Sequence, residues 1–373
     1  MIPNPVHVSV HPAPSPEQLA ALPHTSGLYS LRIGSNPPHL AWCPNLRKRV
    51  SRLLDSSYTL RERLRENLAD IECWPTGSKL ESALLMYRLV KHHFPNDYMK
   101  RLRLRLPHFV ALANGGGFPR LAGVRDLSRK EASAGIWGPF PSRDAAEYYQ
   151  EQAVSLFQLR RCTETLSPHE DHPGCIYGEM NQCLRPCQAH VSKEEYASEA
   201  RRMRDFLATN GRSLTSSLSE ARTRACDEMD FEAAAQLHKR IERVQAAIAV
   251  RDKVVAELDE FNGVALTRSA TPQEFRLWPM SQGYWQEPVV LDCAWQAERP
   301  RPLDMEIRER LTDRLSQTRN EGRQIENLAI FSRWYFSSWR DGDWFPFRNL
   351  NDLNYRKLVR TLSNMAKENA AKE

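Results

Sequence analysis

The sequence predicts an α+β protein assembled from several small units. Three observations carry this. Short apolar runs bounded by turn residues recur toward both ends of the chain. Helical stretches with recognisable caps lie between them. Four cysteines crowd one segment too irregular to bury a core of its own. The 373 residues, 41% hydrophobic and 26% charged, suffice for two or three globular domains, and 24 prolines against 16 glycines suit ordered segments joined by stiff connections.

Residues 1–24 read as a proline-rich lead. SGLYSLRI (26–33) and PPHLAWC (37–43) read as two short strands around the turn GSNPP, followed by a basic helix, NLRKRVSRLLDSS, capped by Asn45. A second helix opens at Ser78 in SKLESALLMYRLVKHH, with Leu80, Ala83, Leu84 and Val90 on its buried side. KRLRLRLPHF alternates Arg101, Arg103 and Arg105 with Leu102, Leu104 and Leu106. That period of two reads as a half-buried strand, leucines inward and guanidiniums outward. These elements make a small mixed domain over 25–110.

The segment from Ile136 to Cys162 reads as a Gly-Pro turn, a Ser142 cap and an amphipathic helix ending just before Cys162. A cysteine-rich region over 111–210 follows from this, closed by a helix that starts with Ser192 and Glu195 as a capping pair and stops at Gly211. Over 211–251, Leu214, Leu218, Ala221 and Ala225 step along one helix, and Ala234, Leu237, Ile241, Val244 and Ile248 along another. The join, EMDFEAA, is short enough to fold them into an antiparallel hairpin. Residues 252–373 form an α+β C-terminal domain with strands at GVALTRS, EFRLWP and PVVLDC and a helix over 303–322. Six of the nine tryptophans fall here, Trp334, Trp339 and Trp344 among them, and read as core.

No run of 18 apolar residues is present to span a membrane, and the first residues lack the basic start and apolar centre of a signal peptide. A cytoplasmic protein is expected. In that reducing compartment a tight group of four among eight cysteines points to a metal or an iron-sulfur cluster, not to disulfides. Cys43, Cys73, Cys226 and Cys293 are scattered and read as ordinary buried residues. A net charge of +6 permits a polyanionic partner without requiring one. Its distribution is more telling, with Arg47, Lys48, Arg49 and Arg52 on the first helix and the arginine row at 101–105.

Cys162, Cys175, Cys183 and Cys187 are spaced C-x12-C-x7-C-x3-C. Four thiolates suit a 4Fe-4S cluster or a tetrahedral zinc, and either can hold an irregular segment folded. Zinc ribbons bring two tight C-x2-C knuckles, so the loose spacing favours iron-sulfur. His169, His172 and His190 lie nearby, but four cysteines already complete a ligand shell.

SGLYSL, NLRKRV, WGPFPS, the four cysteines and EMDFEAAAQLHKRI follow one another as in the UvrC-like family of bacterial excision-repair nucleases, and over residues 24–250 the chain resembles that family. The resemblance implies a GIY-YIG nuclease domain, a cysteine region in which Cys162, Cys175, Cys183 and Cys187 hold a 4Fe-4S cluster, and a UVR hairpin that docks on UvrB. Phe231, Glu232, Ala234, Ala235, Leu237 and Ile241 match the hairpin's signature, although the usual Arg-Asp pair is His238-Lys239 here. It further implies that Tyr29 would help to activate the attacking water and that Arg49 would stabilise charge developing on the phosphate.

The departures are chemical. The second tyrosine of the family motif aligns with His39, the lysine that normally follows with Trp42, and a later asparagine with Tyr98. The glutamate that would bind the divalent metal aligns with Met86, and a thioether is a poor ligand for Mg²⁺, which takes oxygen donors. Glu81 lies five residues earlier, about 140° around the helix at 100° per residue. The residues after 251 are too few for the second, RNase H-like nuclease of longer family members. The resemblance thus implies a DNA-binding protein that keeps a cluster and a hairpin but no longer cuts, with Arg47, Lys48, Arg52, Arg101, Arg103 and Arg105 on phosphates. The alternative is a divergent, active GIY-YIG endonuclease that makes a single incision near lesions.

Overall fold

The computed structural model describes residues 2–10, 15–34, 36–54, 67–113, 116–125, 132–292, 302–317 and 322–370. Cys293, the expected end of the basic helix at 55–57 and positions 318–321 of the C-terminal helix lie outside them. The fold class is α+β, and the chain forms two units, residues 1–105 with 262–373, and residues 106–261.

The first sheet is antiparallel in the order β1-β4-β2-β3. The proline-rich lead contributes β1 (Val6–Ser9) and α1 (Pro16–Ala21), the helix opened by a Ser15/Gln18 capping box. β2 (Gly27–Ile33) and β3 (His39–Cys43) are followed by α2 (Leu46–Leu54), where Asn45 accepts the Lys48 backbone N–H at 2.9 Å. β4 (Leu68–Pro75) pairs with both β1 and β2. Only a glycine fits at 27, where a Cβ would stand 2.4 Å from the Trp74 carbonyl oxygen. Alternation along β2 separates two faces. On one, Tyr29 and Leu31 pack with Leu46, Val50 and Leu53 of α2. Cys43 and Cys73 are buried on that face, where desolvation pushes the Cys73 thiol up to about 12. On the other, Leu28 and Trp74 pack with Leu85 and Leu89 of α3 (Lys79–His93), whose first turn is capped by Ser78.

The alternating stretch is not a strand. Its start is α4 (Tyr98–Leu102), ended by Arg103 in the left-handed region at φ 48°, and residues 103–107 are irregular. The leucines are half-buried and the arginines exposed, as expected. Period two set which side chains are wet and said nothing about a hydrogen-bonding neighbour.

In the second unit, β5 (His108–Ala113), β6 (Arg120–Val124) and β7 (Ala132–Phe140) build an antiparallel sheet. The Gly-Pro pair lies within β7 and is no turn. α5 (Arg143–Val154) starts at Ser142 and stops eight residues before Cys162, because Leu156 and Phe157 fold back into the core and the Ser155 hydroxyl bonds the Gln152 carbonyl at 2.7 Å. The short α6 (Ile176–Glu179) lies in the cysteine segment. α7 (Lys193–Ala208) carries the Ser192/Glu195 capping box. α8 (Arg212–Asp227) and α9 (Phe231–Ala249) form the antiparallel hairpin, and β8 (Ala256–Glu257) pairs with β7. Tyr149, Met203, Phe206, Ile241 and Val244 share one core. Cys226 is exposed on α8 and does not belong to it.

The C-terminal sheet comprises β9 (Asn262–Arg268), β10 (Glu274–Ser281), β11 (Tyr284–Trp285), β12 (Val289–Asp292) and β13 (Gly342–Phe347), in the order β11-β10-β9-β13 with β12 also on β10. α10 (Leu303–Ser316) and α12 (Tyr355–Ala370) cover it through Ile307 and Leu358. α11 (Gln324–Tyr335) buries Trp334 completely, and Phe331 meets Trp344 edge-on at 4.7 Å. Trp339 is 41% exposed, so the core reading fails for that residue. This segment joins the first sheet along α3. Arg276 reaches Glu81 at 2.7 Å, Arg88 reaches Glu287 at 3.0 Å, and Tyr87 donates to Glu326 at 2.6 Å.

Candidate thiol centre and nucleic-acid interface

The four cysteines come from coil, a helix start and a tight turn. Cys162 lies in irregular chain after α5, Cys175 opens α6, and Cys187 sits in the 3-10 turn Pro186–Gln188. Left-handed residues at Gly174, Asn181, Arg185 and Ala189 bend the chain around them. Cys183 and Cys187 are buried, Cys162 is half-buried and Cys175 exposed. Burial raises the Cys183 thiol, and Cys175, Cys162 and Cys187 all act on it through space in the same direction. The thiols therefore share one electrostatic field. The backbone N–H of Arg185 near Cys183, and those of Cys187 and Gln188 near Cys187, oppose the rise that burial causes in these two thiols. Arg160 is buried beside Cys162, its Nη1 3.9 Å from the sulfur and its Nε without a partner among the described residues.

This donor set fits a soft metal centre, since thiolates that repel one another need a cation and accept N–H bonds from their turns. Among the described residues, only His7, Asp70 and Glu72 bring three metal-binding atoms within 4.8 Å of one another. No three thiols are that close. Sulfurs around a single zinc at about 2.3 Å would stand roughly 3.8 Å apart. His172 and His169 use their Nδ1 atoms locally, on the N–H groups of Gly174 and Asp171.

The nuclease-like residues fall into two groups: His39 and Met86 line one cavity, while Tyr29 and Arg49 pair on the other face of the sheet. Arg49 Nε donates to the Tyr29 hydroxyl at 2.9 Å, and Tyr29 is 2% exposed among the residues that face α2. Met86 lies on the opposite face, against the Leu28 and Trp74 cluster. Glu81 is buried and occupied by Arg276 and by the Gly77 N–H; burial raises its carboxyl, with Arg276 opposing. The Tyr98 hydroxyl donates to Glu326 at 2.8 Å, and the Trp42 ring lies under the Lys79 ammonium at 3.5 Å. His39 is exposed at the start of the edge strand.

The basic residues differ in availability. Arg47 is held by the Leu22 carbonyl at 2.6 Å, Lys48 is exposed on α2, and Arg52 is exposed there but engaged by a partner. Arg101 and Arg103 border a cavity beside α3 that Arg105 does not reach. Sequence reasoning missed two cations there, Lys100 and Arg333, the second because it is 230 positions further along the chain than Arg103. On the hairpin, Phe231 is 70% exposed beside Met229 at 77%, and Glu232 is exposed. Ala234 and Ile241 are buried, Leu237 is half-buried and Ala235 is exposed, so of the signature's large side chains only the tip's Phe231 and Glu232 face water fully.

Residues 108–206 match the family model of the UvrC/Cho excinuclease middle domain. The chain is similar to UvrABC system protein C of Methylobacillus flagellatus, 30% identical over 247 residues that cover 65% of this chain and 41% of the relative. It is 31% identical to that of Sphingopyxis alaskensis over 58% of this chain and 34% of the relative. With that of Limosilactobacillus reuteri the identity is 27%, over 64% and 38%. The matched region spans well under half the length of these relatives. No solved structure matches. No helix among the described residues is long and apolar enough to cross a membrane.

Proposed function

We propose, from a chain that is UvrC-like, that it binds DNA in a role related to nucleotide excision repair, carries a 4Fe-4S cluster and does not cut. One observation carries the absence of cutting. The phenol that would act on the attacking water is 2% exposed, and the position that would hold the metal is Met86 on the other face of the sheet. Phosphodiester hydrolysis depends on positioning and on neutralising the phosphate's charge. Neither a wet Tyr29 nor an oxygen ligand at 86 supports it, so Mg²⁺ has no role here.

Cys162, Cys175, Cys183 and Cys187 would hold the cluster, which supplies a rigid cross-link to a segment with little regular structure. Their wide setting supports iron-sulfur over zinc. Lys48, Arg52 and the arginines at 101–105 would meet phosphates, giving affinity that falls steeply with salt and is indifferent to sequence. The setting is the reducing cytoplasm, where thiols persist.

The test uses nicked, bubble and lesion-bearing duplexes with Mg²⁺ or Mn²⁺. Retardation without cleavage is expected. Cleavage that disappears in Tyr29→Phe would establish instead a divergent endonuclease, the reading that the preserved Tyr29–Arg49 hydrogen bond favours.

The hairpin would dock on UvrB through its exposed tip, Phe231 with Glu232 and Met229. A tip phenylalanine that contributes nothing to the fold's core is free to serve as an anchor. Phe231→Asp should abolish retention on immobilised UvrB and leave the melting temperature unchanged. Undiminished retention would show that the tip is not the docking surface.

A further inference from the structure

A cavity of about 630 Å³ opens beside α3, within the size range of ligand pockets. Part of its lining is apolar, with Leu40, Ala83, Met86, Val90 and Ile330. Its lining also holds four cations, Lys100, Arg101, Arg103 and Arg333, against one carboxylate, Asp97. The Arg101 guanidinium lies 3.8 Å from the Phe94 ring centre. Among the described residues, Lys100, Arg103 and Arg333 have no ion-pair partner. Unpaired cations beside an apolar lining suit a ligand that is flat and apolar at one end and anionic at the other.

Arg103 adds an independent sign. Its backbone is left-handed, φ 48°, a conformation that glycine adopts freely and a residue with a Cβ adopts at a cost. A local choice that opposes the backbone's preference is expected where function demands the side chain. Here the turn brings Arg103 and Leu104 into the cavity lining.

We propose that this cavity receives one unstacked nucleotide, its base on the apolar lining at Met86 and its phosphate among Lys100, Arg103 and Arg333. The proposal rests on the DNA-binding reading and names what that reading leaves open, the feature of a strand that the protein prefers. Extruded bases are held elsewhere by the same pairing of an apolar or aromatic slot with a cationic rim. In this chain the methionine that removes a metal ligand also lines the slot.

The test measures full-length protein against a duplex carrying one unpaired nucleotide and against the fully paired duplex. Wild type should prefer the first by roughly tenfold, the order contributed by one stacked base. Met86→Trp, which fills the cavity, should lose that preference and keep its affinity for the paired duplex. Arg103→Gly should melt no lower than wild type and also lose the preference, which covers the case of a misfolded Met86→Trp. Equal affinity of wild type for the two duplexes, or a preference that survives both substitutions, overturns the proposal. If neither duplex binds, the DNA-binding reading falls by itself. Titration with thymidine 5′-monophosphate then decides the cavity: binding that both substitutions abolish upholds it for a free nucleotide, and no binding overturns it.

Discussion

Cys183→Ser will yield a colourless protein whose cysteine segment is cut by protease under conditions that leave wild type intact. From Cys162 to Ala189 the chain has one four-residue helix and one 3-10 turn, and the residues it exposes include Ile176 and Met180 at 62% and 60%. Such a stretch lacks the buried apolar area to offset its own conformational entropy. On the iron-sulfur reading its order would come largely from the bound centre, where binding free energy is folding free energy. Cys183 is the sharpest point of attack because it is buried and feels all three other thiols. The expected wild type is brown, with iron and sulfide in equal amounts; Cys183→Ser should lose both. Cys226→Ser, on the exposed face of α8, should lose neither. A colourless wild type with one zinc per chain would replace iron-sulfur by zinc. Full metal content in Cys183→Ser would remove the thiol centre altogether.

The sequence was most readable where a local rule decides the structure. Ser78, Ser142 and Ser192 start their helices because each offers a hydroxyl to a free N–H of the first turn. The hairpin followed from two apolar periods and a short join. The arginine row misled because alternation reports exposure, and exposure alternates equally well across a helix end and an extended coil. β1 and β4 were invisible for another reason: a four-residue strand amid prolines, and one with Asp70 and Glu72 on a half-covered face, become strands only through pairing, β1 with β4 and β4 also with β2.

The site was legible in its chemistry and opaque in its geometry. The sequence alone places a thioether, Met86, where the resemblance expects an oxygen ligand. That Tyr29 faces α2 while Met86 faces away depends on which side each helix packs, a tertiary fact. The association of residues 262–373 with α3 was equally hidden, since Glu326 and Arg333 carry no local sign of their partners.

Glu326→Ala will destabilise the unit formed by residues 1–105 and 262–373 by about 1–3 kcal/mol, the range for leaving a buried hydrogen-bond donor unsatisfied. Glu326 is fully buried in α11. Its carboxylate accepts the Tyr87 hydroxyl at 2.6 Å and the Tyr98 hydroxyl at 2.8 Å, with the Lys91 ammonium 3.9 Å away. Truncation strands the buried Tyr87 hydroxyl against a void, while Lys91, 37% exposed, keeps its water, and a donor left unsatisfied costs more than its hydrogen bond returned. Glu326→Gln keeps the volume but offers one acceptor and a donating amide to two donating phenols, so it should cost less than alanine yet remain measurable. Tyr87→Phe combined with Glu326→Ala should fall short of the sum of the two single effects by roughly 0.5–3 kcal/mol, as for residues in direct contact. Urea melts of the four proteins check this. Additive effects would mean that Glu326 and Tyr87 stabilise the unit separately, and a near-neutral Glu326→Ala would show that α11 is held to α3 by its apolar contacts alone.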